Sequence, residues 1–345
     1  MKDVVLHIGM HKTGSSSIQS SLKDYRDETT RYASFDEANH SIPMTTVFSS
    51  DRYEYHVWKN IGLSKEEIDE RRERYLEVLQ KDIDDPNFKR LLISGEDIGT
   101  LQNDDKRALV EFLKSRGCNV KIVCFVRSPN GYVASEMQEL IKHGWEDVLQ
   151  INPAYKWILW TFSEVLPKEN LIVRNFSEIL GEFADPVLGF ASICGLERES
   201  FALKRTNQSL SATATRLLYR LNKLPLVTLG TRDHVSARHK LIAILAKAFP
   251  ASRDDKLDGD ILSGLLKPNL NDQIAFLSDR FQIDFSNATH STNLDACEYY
   301  LSDLSSFKLQ RLIEVLGENQ IQLPQTNTID QMLMALYQSG LGLSA

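Results

Sequence analysis

Leu6-His7-Ile8-Gly9-Met10-His11-Lys12-Thr13-Gly14-Ser15-Ser16-Ser17-Ile18 is the stretch on which the reading of this sequence turns. Val4 to Ile8 is a short run rich in β-branched residues that stops at Gly9, and Ile18 to Leu22 opens a helical pattern. The segment therefore predicts strand, loop and helix. Glycines at 9 and 14 permit a sharp turn and let backbone N–H groups come close to a ligand. The helix that follows presents unpaired N–H groups and the positive end of its dipole. Ser15, Ser16 and Ser17 add hydroxyls, and Lys12 adds a positive charge. Charge-assisted hydrogen bonds are worth roughly 1.5–3 kcal/mol each, so several converging on one group would hold a phosphate or a sulfate. The plainer alternative is a serine-rich turn that starts a helix and binds nothing.

The spacing Gly9-x4-Gly14 is shared with the nucleoside triphosphate P-loop, GxxxxGK[ST]. That motif needs its lysine directly after the second glycine. Here Ser15 stands in that place, and Lys12 precedes Gly14. The sequence also lacks an apolar strand ending in an aspartate suited to hold magnesium. Both departures argue against ATP or GTP chemistry with Mg²⁺, and a kinase or nucleotidase is kept as the alternative reading.

Working outward, Arg90-Leu91-Leu92-Ile93-Ser94, Val120 to Val126 and Leu171-Ile172-Val173 are further strand candidates. The nearly continuous apolar run from Val120 is what a strand buried on both faces requires. Helical patterns cover 64–83, with Ile68, Tyr75, Leu76, Leu79 and Ile83 on one face, then 104–116 before Gly117, Pro129 to about His143, and 154–166. Strands alternating with helices predict an α/β fold, a parallel sheet flanked by helices. From about 208 the pattern is helical, so the expected organisation is an α/β core over 1–220 and a mainly helical C-terminal lobe over 221–345. Residues 29–62 show no clear periodicity and read as loop with short elements.

Bulk properties narrow the function classes. With 345 residues and a charge of −7, a general basic surface for nucleic acid is not expected. A local basic pocket for a small anion remains compatible with that charge. Cys118, Cys124, Cys194 and Cys297 form no CxxC pair and no zinc spacing, so no metal is expected. No run of about 18 apolar residues predicts a membrane span, and the expected setting is cytoplasmic. Oligomeric state is left open.

The loop resembles the phosphosulfate-binding loop of sulfotransferases that use 3′-phosphoadenosine 5′-phosphosulfate (PAPS). That family's pattern, Lys-[Ser/Thr]-Gly-[Thr/Ser]-[Thr/Ser], reads here Lys12-Thr13-Gly14-Ser15-Ser16. The likeness is greatest to bacterial members whose loop reads HIGxHKTG. A second family motif, a strand ending in Arg and a helix carrying Ser eight positions on, matches Arg127 after Cys124-Phe125-Val126, and Ser135. The resemblance covers about residues 3–220. It implies the sulfotransferase variant of the P-loop fold, with PAPS as donor and no metal required. It further implies that Lys12 stabilises charge on the bridging oxygen, that Thr13, Gly14, Ser15, Ser16 and Ser17 hold the 5′-phosphate, and that Arg127 and Ser135 grip the 3′-phosphate. The segment Arg205 to Ser211 resembles one recurring in bacterial members and places Arg205, Asn207 or Ser209 near the nucleotide. The Arg-Lys-Gly triplet of cytosolic members is absent from this sequence.

Sulfuryl transfer to a hydroxyl needs a general base. Glu96, in Ser94-Gly95-Glu96-Asp97 after the second predicted strand, lies at the sheet edge where ligands of open α/β sheets bind. His11 and His56 are the alternatives. The expected acceptor is a small molecule or glycan, a carbohydrate or glycoconjugate hydroxyl, with 32–60 and Glu136 to Trp145 as candidate cleft segments. A degenerate, non-catalytic nucleotide-binding protein is the reading from a different class.

Overall fold

Five strands form one sheet in the order β2-β3-β1-β4-β5. They are β1 (Lys2–His7), β2 (Thr30–Tyr32), β3 (Arg90–Ser94), β4 (Cys118–Val126) and β5 (Leu171–Asn175). All four pairings are parallel, and Leu6 of β1 lies level with Ile93 of β3 and Ile122 of β4. The computed structural model describes residues 1–342 apart from 207–208, 225–231, 253 and 289–291. The α/β architecture expected from the sequence is the one observed. Helices flank the sheet, and the described C-terminal region is helical.

The strand runs were legible because the central residues Val4 to Leu6, Leu91 to Ile93 and Ile122 to Val126 are apolar and buried. Lys121, the one charged residue inside β4, pairs with Asp3 of β1 at 2.9 Å. β2 was not foreseen. It has three residues and pairs only with β3 at the sheet edge. Its neighbourhood also holds the helices Ser41–Phe48 and His56–Ile61. The first buries six of its eight residues, so no amphipathic stripe marks it.

The helix Lys65–Asp84 starts at a capping box, in which Ser64 accepts from the Glu67 N–H and Glu67 accepts from the Ser64 N–H. It buries Ile68, Tyr75, Leu79 and Ile83, the stripe its spacing predicts. Pro129 opens the helix Pro129–Lys142, as its missing N–H and fixed φ favour.

The chain forms two compact units, each assembled from separate stretches. The first comprises 1–128, 154–207 and 271–286 and contains the whole sheet. Its core gathers Ile18 and Leu22 of the helix Ser15–Leu22 with Val5, Val123, Phe125, Phe176, Val187 and Phe190. The second comprises 129–153, 208–270 and 287–345 and, in its described residues, is helical apart from an isolated bridge between Ile151 and Leu266. Within it the buried Arg238 guanidinium donates to the carbonyls of Ile141 and Lys142 and to Asn222. It thereby satisfies carbonyls that the C-terminal turn of Pro129–Lys142 leaves open. Neither unit is one continuous segment, so the 1–220 and 221–345 division drawn from sequence cuts across this arrangement. Among the described residues no helix is long and apolar enough to cross a membrane.

Candidate functional site

The order of strands puts β1 between β3 and β4, so the chain leaves β1 toward one side of the sheet and later passes to the other. The carboxyl end of β1 is the topological switch point, where open α/β sheets bind ligands. The loop Ile8 to Gly14 occupies that point. Its first half stays fastened to β4: the Ile8 N–H donates to the Val123 carbonyl and the Met10 N–H to the Phe125 carbonyl, each at 3.1 Å. Thr13 is fully buried, and its hydroxyl donates to the Met10 carbonyl at 2.6 Å, closing the turn on itself.

Three residues of the loop have positive φ: Gly9 (75°), Lys12 (66°) and Gly14 (82°). Left-handed residues on either side of Thr13, which is not left-handed, give the backbone of an anion-binding nest. Gly14 is the N-cap of the helix Ser15–Leu22, with no side-chain cap. Ser15, Ser16 and Ser17 are therefore the first helical residues, whose N–H groups have no intrahelical acceptor four residues back. The Ser15 hydroxyl is buried and has no hydrogen-bond partner among the described residues. Ser17 is engaged elsewhere, accepting from the Thr206 N–H at 3.2 Å. Ser21, one turn on, accepts from the Lys204 N–H at 2.8 Å. These two serines hold the segment 204–206 along the helix.

Arg127, at the end of β4, points its guanidinium at the loop and donates to the Lys12 carbonyl at 3.0 Å. Its charge centre lies 5.7 Å from the centre of the Phe176 ring, and its own carbonyl accepts from the Tyr155 hydroxyl at 2.5 Å. Burial draws its pKa down from the usual arginine value. Arg127 thus braces the loop and brings a second cation near Lys12.

Arg205 pairs with the buried Asp185 at 3.2 Å. Asp185 also caps the helix Pro186–Cys194, accepting from the Val187 N–H. Pro186 of the same helix lies against Gly14. Ser135 is half-buried on Pro129–Lys142 and belongs to the second unit, as does the exposed Ser209. Asn207 lies outside the described residues.

Glu96 and Asp97 open a short 3₁₀ turn directly after β3. Glu96 stands over Gly9, so near that a Cβ on Gly9 would lie 2.8 Å from its own. Its carboxylate accepts from the Gln19 side-chain amide at 2.7 Å. Asp97 is held by the Ser41 hydroxyl, which accepts from its N–H at 3.1 Å. The Asp97 carboxylate faces His11 Nε2 at 3.3 Å and accepts from the Tyr55 hydroxyl at 2.7 Å. The His11 side chain is 41% exposed and that of Asp97 17%, so the histidine reaches solvent from a shielded carboxylate. Burial alone would raise the Asp97 pKa; the hydrogen bonds from His11 and Tyr55 outweigh it and hold the carboxyl below the ordinary aspartate value. Tyr55 is pushed far up by burial and by the adjacent Asp97, so its phenol remains a donor.

The sequence brought Lys12, His11, Glu96 and Arg127 forward, and the structure sets them around one loop. It did not bring forward Asp97 as a partner of His11, nor Tyr55 or Gln19. Asp97 was visible only as the neighbour of Glu96, and Tyr55 only as one aromatic of an aperiodic stretch. Below this layer, two buried histidines meet at Ser94: His7 Nδ1 contacts the Ser94 hydroxyl at 2.7 Å, and the Ser94 N–H donates to His40 Nδ1 at 3.2 Å. Burial depresses both histidines to a pKa of about 3.

A cleft of about 320 Å³ adjoins Asp97 and is lined also by Thr45, Ser49, Asp51, Tyr55 and His56. Among the described residues no group of three or more His, Cys, Asp or Glu side chains is arranged to hold a metal ion. No protein-family model matches this chain, and no curated protein matches it in sequence.

Proposed function

We propose that the chain is a sulfotransferase that moves the sulfuryl group of PAPS to a hydroxyl of a carbohydrate or similar polyol. The observation that carries the reading is the juxtaposition at the switch point. A left-handed nest with Lys12 and a helix N-terminus, suited to a phosphosulfate, lies beside a carboxylate-held histidine, suited to a hydroxyl proton.

In this reading the acceptor oxygen attacks sulfur, the bond from sulfur to the bridging phosphate oxygen breaks, and adenosine 3′,5′-bisphosphate leaves. Lys12 offsets the charge developing on that bridging oxygen, as preorganised cations do in group transfer. The N–H groups at 14–16 and the Ser15 and Ser16 hydroxyls hold the 5′-phosphate. Arg127 supplies a 3′-phosphate contact and Arg205 a contact to the nucleotide, as the family resemblance implies. His11 takes the acceptor proton, while Asp97 fixes the ring and stabilises the imidazolium that forms. Glu96, bound to Gln19, is the competing base.

Calorimetric titration with adenosine 3′,5′-bisphosphate, compared with ADP with and without Mg²⁺, tests the donor class. The expected result is metal-independent binding of the bisphosphate at least ten-fold tighter than ADP, about 1.4 kcal/mol. Preference for ADP with Mg²⁺ would replace the sulfotransferase by a kinase or nucleotidase. Binding of the bisphosphate without turnover on any acceptor would favour the non-catalytic alternative.

A further inference from the structure

We infer that the acceptor is a neutral or amine-bearing polyhydroxy compound, and that the cleft beside His11 rejects acidic saccharides. This deepens the sulfotransferase reading and rests on it. The cleft shares Asp97 with the His11 pair, so a ligand within it lies next to the proposed base. Its volume, about 320 Å³, is at the lower end of the roughly 300–1,000 Å³ typical of small-molecule sites, which suits a terminal sugar more than a long chain.

Charge decides the class. Asp51, Glu54 and Asp97 line the cleft, and its described lining includes no lysine or arginine. Lys59 pairs with Glu54 and offsets that one carboxylate. Asp97 carries its charge under ordinary conditions, since the His11 and Tyr55 hydrogen bonds hold its pKa down. An anionic acceptor entering here would lose water and face like charges, a combination that excludes a ligand effectively. Hydroxyls and ammonium groups would instead donate to the carboxylates.

The test uses the full chain saturated with adenosine 3′,5′-bisphosphate. Binding of methyl glucoside, glucosamine and glucuronate is measured by saturation-transfer NMR, and PAPS-driven sulfation of each is measured in parallel. Methyl glucoside and glucosamine are expected to bind at least ten-fold more tightly than glucuronate. The Asp51→Asn/Glu54→Gln variant should bring glucosamine down toward methyl glucoside and narrow the gap to glucuronate. Equal or tighter binding of glucuronate, binding of none of the three, or ratios unchanged in the variant would overturn the inference. Failure of the sulfotransferase reading is separately visible as loss of bisphosphate binding before any sugar is added.

Discussion

Lys12 is held at φ 66°, a left-handed conformation that costs a residue with a side chain roughly 1–2 kcal/mol. A loop that keeps a lysine there, between two glycines that are also left-handed, spends stability to fix the direction of its peptide groups. Lys12→Ala keeps the Cβ and removes the ammonium group together with its methylene stem. It is expected to lower turnover by about 10²–10³-fold, the usual effect of losing one preorganised stabilising group, with little change in Tm. Retention of near-normal turnover would remove Lys12 from the mechanism. The base is resolved by comparing three variants. His11→Ala and Asp97→Asn should each cut kcat by about 10²–10⁴-fold, and their double variant should lose little more, because the two act as one unit. Glu96→Gln preserves a hydrogen-bonding partner for Gln19 and should stay within about ten-fold of the parent if His11 is the base. A larger loss in Glu96→Gln than in His11→Ala would assign the proton to Glu96.

At the scale of elements, the helix Ser15–Leu22 is fixed by what presses on its start. A Cβ on Gly14 would lie 2.6 Å from Pro186 Cγ and 2.9 Å from Pro186 Cβ. The same residue has φ 82° and serves as the N-cap. Gly14→Ala therefore combines a left-handed penalty of about 1–2 kcal/mol with overpacking of about 1–3 kcal/mol. A loss of about 2–5 kcal/mol is expected in urea unfolding, together with loss of bisphosphate binding as the nest opens. A variant as stable as the parent would mean that Pro186–Cys194 yields at no cost. The same helix shows how far local pattern carries. Its existence follows from Ile18 and Leu22, but its use of Ser17 and Ser21 to hold 204–206 depends on where a distant segment passes. The stretch from 29 to 62 was opaque for a related reason. β2 exists because β3 is there to pair with it, and Ser41–Phe48 is covered on nearly all sides, which erases the periodicity that marks a surface helix.

For the whole molecule, acidity is the sensitive variable, through His7 and His40. Both are fully buried, and their folded pKa of about 3 lies below the ordinary histidine value of 6.5. The unfolded chain therefore binds their protons more readily. The stability they permit is present above pH 6.5 and is lost as pH falls from 6.5 toward 3. At pH 5 this amounts to about 2 kcal/mol for each histidine, read as a lower midpoint in urea than at pH 7. His7→Asn and His40→Asn should each flatten that dependence by one histidine's share. An unchanged slope in both would mean that the two sites accept protons without unfolding. Because both histidines meet at Ser94, two residues before Glu96, acid stress is expected to reach the candidate site first. By itself the sequence determined the α/β class, the strand–loop–helix at 4–22, three further strands and the helix opening at Pro129. These are properties of neighbouring residues: apolar runs that must be buried, and glycine and proline where the backbone must turn. Only the tertiary structure decided that Asp97 holds His11, that Arg127 braces the Lys12 carbonyl, and that the two units interleave along the chain. Each joins residues far apart in sequence whose meeting depends on strand order, and strand order is set by the burial of the whole sheet and not by any one segment.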